Sequence, residues 1–370
     1  MTYLEKSISD GRKSNRRPWK LERAYFGVSA VALFLTPVFI WCFRALPRER
    51  WQILCAVPVQ KLPDGKWRGV NLTYYGLFNA AAVCAAVSLA LILTGAAGMD
   101  FRLFSVIVIV LLSLCLPASG QIARWVEKKP HTFSVGAASF LGIILGPWLL
   151  MLIKTAARQT MELDFEIMAA MAALLAGYAL GEGIGRLGCI SFGCCYGKPI
   201  DRMPPAARRF LSWACFTYSG NAKKIAYAHG LEGQKIFAVQ AVTAVLYTIA
   251  ALSGTLLILN GDYAWACFLC LSITQAWRFL SEFLRADYRG GRSISVYQVM
   301  SLLTIPYGLM LPFIFPSSGN GLNVLTGLRA LWDPVAILFL LILWGIIFLK
   351  TGISRVTGSY LSFHVHRDRI

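Results

Sequence analysis

The segment Gly181–Pro199 gathers the residue types most able to do chemistry: Glu182 and Arg186 four apart, then Cys189, Cys194 and Cys195, set among six glycines. A glycine at nearly every turn weakens a helix unless close approach to a ligand or another helix compensates. On a helix Glu182 and Arg186 share a face, and two readings stand. They form a salt bridge that ties off a helix end, or Arg186 grips an anion through two parallel N–H groups. A second cluster, Arg278-Phe279-Leu280-Ser281-Glu282-Phe283-Leu284-Arg285-Ala286-Asp287, sets Arg278, Glu282 and Arg285 on one helical stripe. Three guanidinium groups can neutralise a phosphate in dry surroundings, and a desolvated Glu182 is a candidate base. Gln240, Gln275 and Gln298 supply amides that serve a ligand or join helices. Cys189, Cys194, Cys195 and Cys215 form a candidate disulfide or thiol site. Adjacent cysteines are a poor chelate, so no metal is expected there.

The elements that must position these residues are membrane helices. Hydrophobic residues make up 57% of the 370-residue chain and charged ones only 15%, against about 25% charged in globular domains. The mean hydropathy is +0.59. Apolar runs of roughly 20 residues, the length that crosses a bilayer, fall near 24–43, 71–94, 101–119, 133–153, 166–184, 236–260, 263–284, 294–315 and 331–350. The expected fold is an all-α polytopic membrane protein with about 7–9 transmembrane helices and a small extramembrane cap. The chain shows no tandem repeat. It divides into 1–70, a basic N-terminus, an uncleaved signal-anchor span and an arm; 71–315, the membrane domain with its cap near 199–235; and 316–370, an added span and basic tail. The segment 44–70 carries Trp51 and Trp67 among basic residues, and reads as an interfacial arm or a plain loop.

The net charge of +18 is spread over loops, which points to an anionic membrane surface and away from nucleic acid. A basic N-terminus held in the cytoplasm puts 44–70, 185–235 and 285–293 on the outer face. That arrangement leaves many arginines outside, against the positive-inside rule. Either a span near 101–119, interrupted by Pro117, or near 331–350 is absent, or the arginines are kept for function. Five cysteines, Cys42, Cys84, Cys115, Cys267 and Cys270, lie in apolar runs and read as small core residues.

Ordered motifs across about 70–315 resemble the prolipoprotein diacylglyceryl transferase family. They are Tyr74-Tyr75-Gly76-Leu77, then Gly185-Arg186-Leu187-Gly188-Cys189-Ile190 through Tyr196-Gly197-Lys198-Pro199, then Arg278–Asp287 with Ser295-Val296-Tyr297-Gln298. The resemblance implies transfer of the diacylglyceryl group of phosphatidylglycerol, or another anionic phospholipid, to a lipobox cysteine of a preprolipoprotein. It also implies release of glycerol phosphate, no cofactor, and a bacterial inner-membrane location with the site facing the outer leaflet or periplasm. Arg186 and Arg285 then read as catalytic phosphate clamps, with Glu182 or His131 as base. Tyr75, Gly185, Gly188, Arg278, Glu282, Gln240 and Gln298 read as the substrate-binding set.

The chain departs from that pattern. Phe133-Ser134-Val135 carries valine where the family has a histidine, and His131 lies four residues earlier. Cys189 replaces the signature asparagine, the Cys194-Cys195 pair is added, and the segment Ala238-Val239-Gln240 is reduced. Two further readings therefore stay open: a phospholipid-headgroup transferase with another acceptor, and a membrane protein that binds or transports lipid without catalysis.

Overall fold

The computed structural model describes residues 17–128, 134–287, 294–319 and 322–370. The first helix, α1 (Arg17–Ala45), leads into an antiparallel hairpin, β1 (Ile53–Lys61) and β2 (Trp67–Thr73), where a loop or interfacial arm was one expectation. Asp64-Gly65 supplies its turn, with Gly65 at φ 81°, a conformation that costs glycine nothing. Then follow α2 (Tyr74–Ala96), α3 (Phe101–Glu127), α4 (Val135–Met161) and α5 (Ile167–Phe192). Helix α3 runs unbroken through Pro117, so that span is present. The first part of the glycine-rich signature, Gly181 to Phe192, lies within α5, which continues beyond the end expected near 184; Gly193 and Gly197 follow it.

The cap contains α6 (Pro205–Leu211), β3 (Cys215–Thr217), α7 (Lys224–His229) and β4 (Lys235–Phe237), with β3 and β4 paired. The chain returns through α8 (Val239–Asn260), α9 (Tyr263–Leu284) and α10 (Val296–Ile314). A short α11 (Val324–Leu331) and the last span, α12 (Pro334–Gly352), precede β5 (Ile353–Leu361), which adds to β2 as a third strand.

Eight of these helices are long and apolar enough to cross a membrane; α9, with Gln275 and Arg278 in its second half, is not among them. Strand pairing decides the matter. Strand β2 precedes α2 and β5 follows α12, yet the two are hydrogen-bonded, so an even number of crossings separates them. Without α9 the long helices from α2 to α12 number seven among the described residues; with it they number eight. Contacts at both ends agree. At one end Asn323 N–H donates to the Ala96 carbonyl at 3.0 Å and Ser318 N–H to Glu166 Oε1 at 2.9 Å. At the other, Tyr297 donates to Glu127 Oε1 at 3.1 Å, and Gln52 Nε2 donates to the Ala222 carbonyl at 2.5 Å. The hairpin, the cap and β5 thus share one face.

Helix α5 sits at the centre because its small residues admit its neighbours. A Cβ on Gly181 would meet the Ala86 Cβ at 2.7 Å, and one on Gly188 would lie 3.1 Å from the Tyr75 carbonyl, both on α2. A Cβ on Gly183 would lie 2.9 Å from Thr248 Oγ1 on α8. These glycines serve helix packing, one of the two uses the sequence allowed. Away from the cap, Leu91, Phe104, Ile107, Met168, Met171 and Leu271 build a wholly apolar core.

Candidate functional site

At the cap end, α5 and α9 present their polar stripes to each other. Glu182 on α5 accepts from Arg186 one turn along, and from Arg278 of α9, whose Nη2 reaches Oε1 at 2.6 Å and Oε2 at 2.5 Å. Arg278 also donates to the Tyr178 hydroxyl at 3.1 Å. The side chains of Glu182, Arg186 and Arg278 are only 4%, 10% and 11% exposed. A buried carboxylate held by two guanidinium groups is a fixed counter-ion and a poor proton acceptor. The salt-bridge reading of Glu182 and Arg186 is therefore realised, with Arg278 added to it.

Arg285 follows the end of α9. Its Nε and Nη2 bind the two oxygens of Asp287 at 2.8 and 2.7 Å, while Nη1 stands 3.9 Å from Glu282. Burial opposes the Arg285 charge, but Asp287, Cys195 and Glu282 together hold the guanidinium above its ordinary range. The backbone fixes this segment. Lys198 N–H donates to the Leu284 carbonyl at 2.8 Å, and Ala286 N–H to the Tyr196 carbonyl at 3.1 Å, laying 284–286 along the end of the cysteine loop.

Arg186, Arg278 and Arg285 line one narrow recess together with Cys195, Gln240, Thr243, Tyr247, Trp277, Ser281 and Glu282. Trp277 Nε1 donates to Thr243 at 2.8 Å, fixing the indole across the recess. The Nε atoms of Arg186 and Arg278 and Oε1 of Gln240 are buried without a hydrogen-bond partner. Unpaired buried donors are costly, and two of them on guanidiniums beside a recess suit an incoming anion. Three arginines face three carboxylates, Glu182, Glu282 and Asp287, so the resting site is charge-balanced.

The last turn of α5 carries Cys189 and the loop after it Cys194 and Cys195. Gly193 (φ 70°) ends the helix in the left-handed conformation, its N–H donating to the Cys189 carbonyl at 2.9 Å, and Cys194 N–H reaches the same carbonyl at 3.0 Å. Cys195 is also left-handed, at φ 56°. This double reversal folds the adjacent pair back onto the helix end. The sulfurs of Cys189, Cys194 and Cys195 lie within 4.8 Å of one another. Gln240 Nε2 pins the loop by donating to the Cys194 carbonyl at 2.8 Å and the Tyr218 hydroxyl at 3.1 Å. The ten cysteines are free thiols, and Cys215 stands apart on β3, its Sγ 3.7 Å from the Leu211 carbonyl.

The cap is clasped to the ends of α1 and α5 by Lys223. This fully buried ammonium donates to the Ser191 carbonyl at 2.6 Å and the Leu46 carbonyl at 3.2 Å. Burial pushes it down to about 8, with Glu49 pulling the other way.

The remaining expected residues fall elsewhere. Tyr75, in the first turn of α2, meets Phe192 at a tilt (5.4 Å between centroids), outside the recess lining. Gly185 faces Ala82 and Gly188 faces Tyr75, as packing positions. Gln298 forms a capping box with Ser295 and donates to the Phe279 carbonyl at 3.1 Å, which makes it structural. His131 lies outside the described residues, whereas Val135 opens α4 with its side chain exposed. The sequence reading missed Tyr178, Tyr247, Trp277 and Lys223. Tyr178 carried a usable signal, since it continues the Glu182 and Arg186 stripe one turn back; Lys223 carried none.

With the geometry in place, a family model for prolipoprotein diacylglyceryl transferase matches residues 66–314, the interval that holds every residue of the recess. No curated protein matches the chain.

Proposed function

This chain belongs to the prolipoprotein diacylglyceryl transferase family, and on that premise we propose that its donor is phosphatidylglycerol and its acceptor the lipobox cysteine of a preprolipoprotein. The reaction takes place at the outer face of a bacterial inner membrane. The acceptor sulfur bonds to the terminal glyceryl carbon, the bond from that carbon to the phosphate oxygen breaks, and glycerol phosphate departs with the electron pair. The thiol proton passes to solvent.

One observation carries this reading: two unpartnered guanidinium Nε atoms, on Arg186 and Arg278, border a recess that Arg285 also lines. The phosphate of the donor takes those donors. Glu182 and Asp287 hold the guanidiniums in place before the lipid arrives, so little reorganisation is left for the transition state. Trp277 and Tyr247 flank the recess with apolar surface for the glyceryl carbons.

The test incubates purified protein, and separately Arg186→Ala, with phosphatidylglycerol and a lipobox peptide. The expected result is a peptide heavier by one diacylglyceryl group, release of glycerol phosphate, and loss of about 10²-fold or more in rate for the variant. Glycerol phosphate without modified peptide would move the acceptor to another class. Neither product from the folded wild type would overturn the reading.

A further inference from the structure

The proposed reaction needs a thiolate, because the thiol itself is a poor nucleophile. Among the described residues lining the recess the carboxylate is Glu282, which faces Arg285 at 3.9 Å. Glu182 is committed to two arginines. Beside the recess, however, stand three thiols that the phosphate chemistry does not use.

Their geometry is that of a ligand set. A tetrahedral zinc ion bound at about 2.3 Å to each sulfur holds those sulfurs roughly 3.8 Å apart, and Cys189, Cys194 and Cys195 already lie within 4.8 Å of one another. From spacing alone the adjacent pair is a poor chelate. The left-handed Gly193 and Cys195 remove that objection by turning both thiols back toward the last turns of α5. A non-glycine residue at positive φ costs about 1 kcal/mol and persists where its surroundings impose it; here the loop is pinned by Gln240 through the Cys194 carbonyl. Charge also fits. Three thiolates and a divalent ion carry one net negative charge, and Cys195 shares the recess with Arg186 and Arg285.

We propose that Cys189, Cys194 and Cys195 bind a zinc ion whose fourth position, open toward the recess, takes the acceptor thiol and presents it as the nucleophile. Zinc with three protein ligands keeps such a position, and a thiol that coordinates it loses its proton. The metal-held sulfur then attacks the glyceryl carbon, the carbon–oxygen bond to phosphate breaks, and glycerol phosphate leaves under the arginines. The resulting thioether is a weaker donor than the thiolate and dissociates from the metal. The proton lost on coordination goes to solvent, so the step balances without an oxidant or reductant. This inference deepens the transferase reading and rests on it for the identity of the acceptor.

The test uses the reduced full-length protein in detergent, without phospholipid, titrated with Co²⁺ as a spectroscopic stand-in. One Co²⁺ per chain with an intense thiolate-to-metal band is expected. A Cys189→Ser, Cys194→Ser, Cys195→Ser triple variant that keeps the wild-type melting profile should lose the band. A lipobox peptide should shift the visible cobalt bands, and the same peptide with serine for cysteine should not. Absence of the band in folded wild type, its survival in the triple variant, or indifference to the thiol peptide would overturn the proposal; single variants serve if the triple variant fails to fold. A companion assay separates the two readings. Full-rate transfer by chelator-treated, metal-free protein leaves the transferase standing and removes the zinc. Cobalt binding with peptide coordination but no lipid transfer, whatever metal is supplied, does the reverse.

Discussion

The two halves of α5 are built on opposite terms. From Ile167 to Gly177 the helix is alanine, methionine and leucine, buried among the apolar side chains of α2, α3 and α9. From Tyr178 to Phe192 it carries Glu182, Arg186 and Cys189; the Glu182 carboxylate is matched by Arg186 one turn away and by Arg278 on α9, while the Arg186 Nε is left without a partner beside the recess. Both halves are deeply buried, but only the first is held by shape alone. In lipid the hydrophobic effect scarcely distinguishes helix from bilayer, so shape and hydrogen bonding carry the association. The polar half must be satisfied group by group, because an unpaired charge there has no water to fall back on.

The largest expected effect follows from that contrast. Glu182→Ala leaves Arg186 and Arg278 without their shared counter-ion and should cost about 3–5 kcal/mol, read as a fall in thermal stability in detergent. Leu175→Ala, in the apolar half, should cost less, because lipid or neighbouring side chains can fill part of the space. Equal or greater loss at Leu175 would break the comparison. A middle-sized effect is expected where the two halves meet: Gly181→Val drives its side chain into Ala86 and the Ala82 carbonyl, an overpacking worth about 1–3 kcal/mol. If its melting temperature is unchanged, α2 and α5 are not locked by those glycines. The smallest effect has the opposite sign. Cys195→Gly should raise stability by up to about 1 kcal/mol by relieving the left-handed φ, while Cys195→Ser should not. A gain in stability paired with loss of transfer would separate the polar half's chemistry from its structural role.

How far the site could be read beforehand depended on the kind of signal. Arg186, Glu182, Arg278 and Arg285 stood out because charge at membrane depth is costly, and helical spacing placed them on two stripes. The fold class was legible from hydropathy alone. Pairing of Glu182 with Arg278 was not, since it depends on how α5 and α9 face each other. The convergence of three thiols was equally hidden, because it rests on two left-handed residues, one of them a cysteine that no propensity would place there. The hairpin at Ile53–Thr73 escaped because its strands are half exposed and interrupted by Pro58, where the ladder shifts register.

Strand β5 has a consequence for how this protein is made. The Asn71 amide nitrogen meets the Thr357 hydroxyl, a partner 286 positions away, and β2 holds an edge open until β5 is synthesised and α12 has crossed. At common elongation rates of about 5–20 residues per second, that edge waits on the order of tens of seconds, during which it can pair with the wrong chain. The close approach of Gly76 to Gly352 sits beside this ladder. Biogenesis of the enzyme is therefore not a stepwise addition of spans but a closure, completed when the last strand returns to the first hairpin.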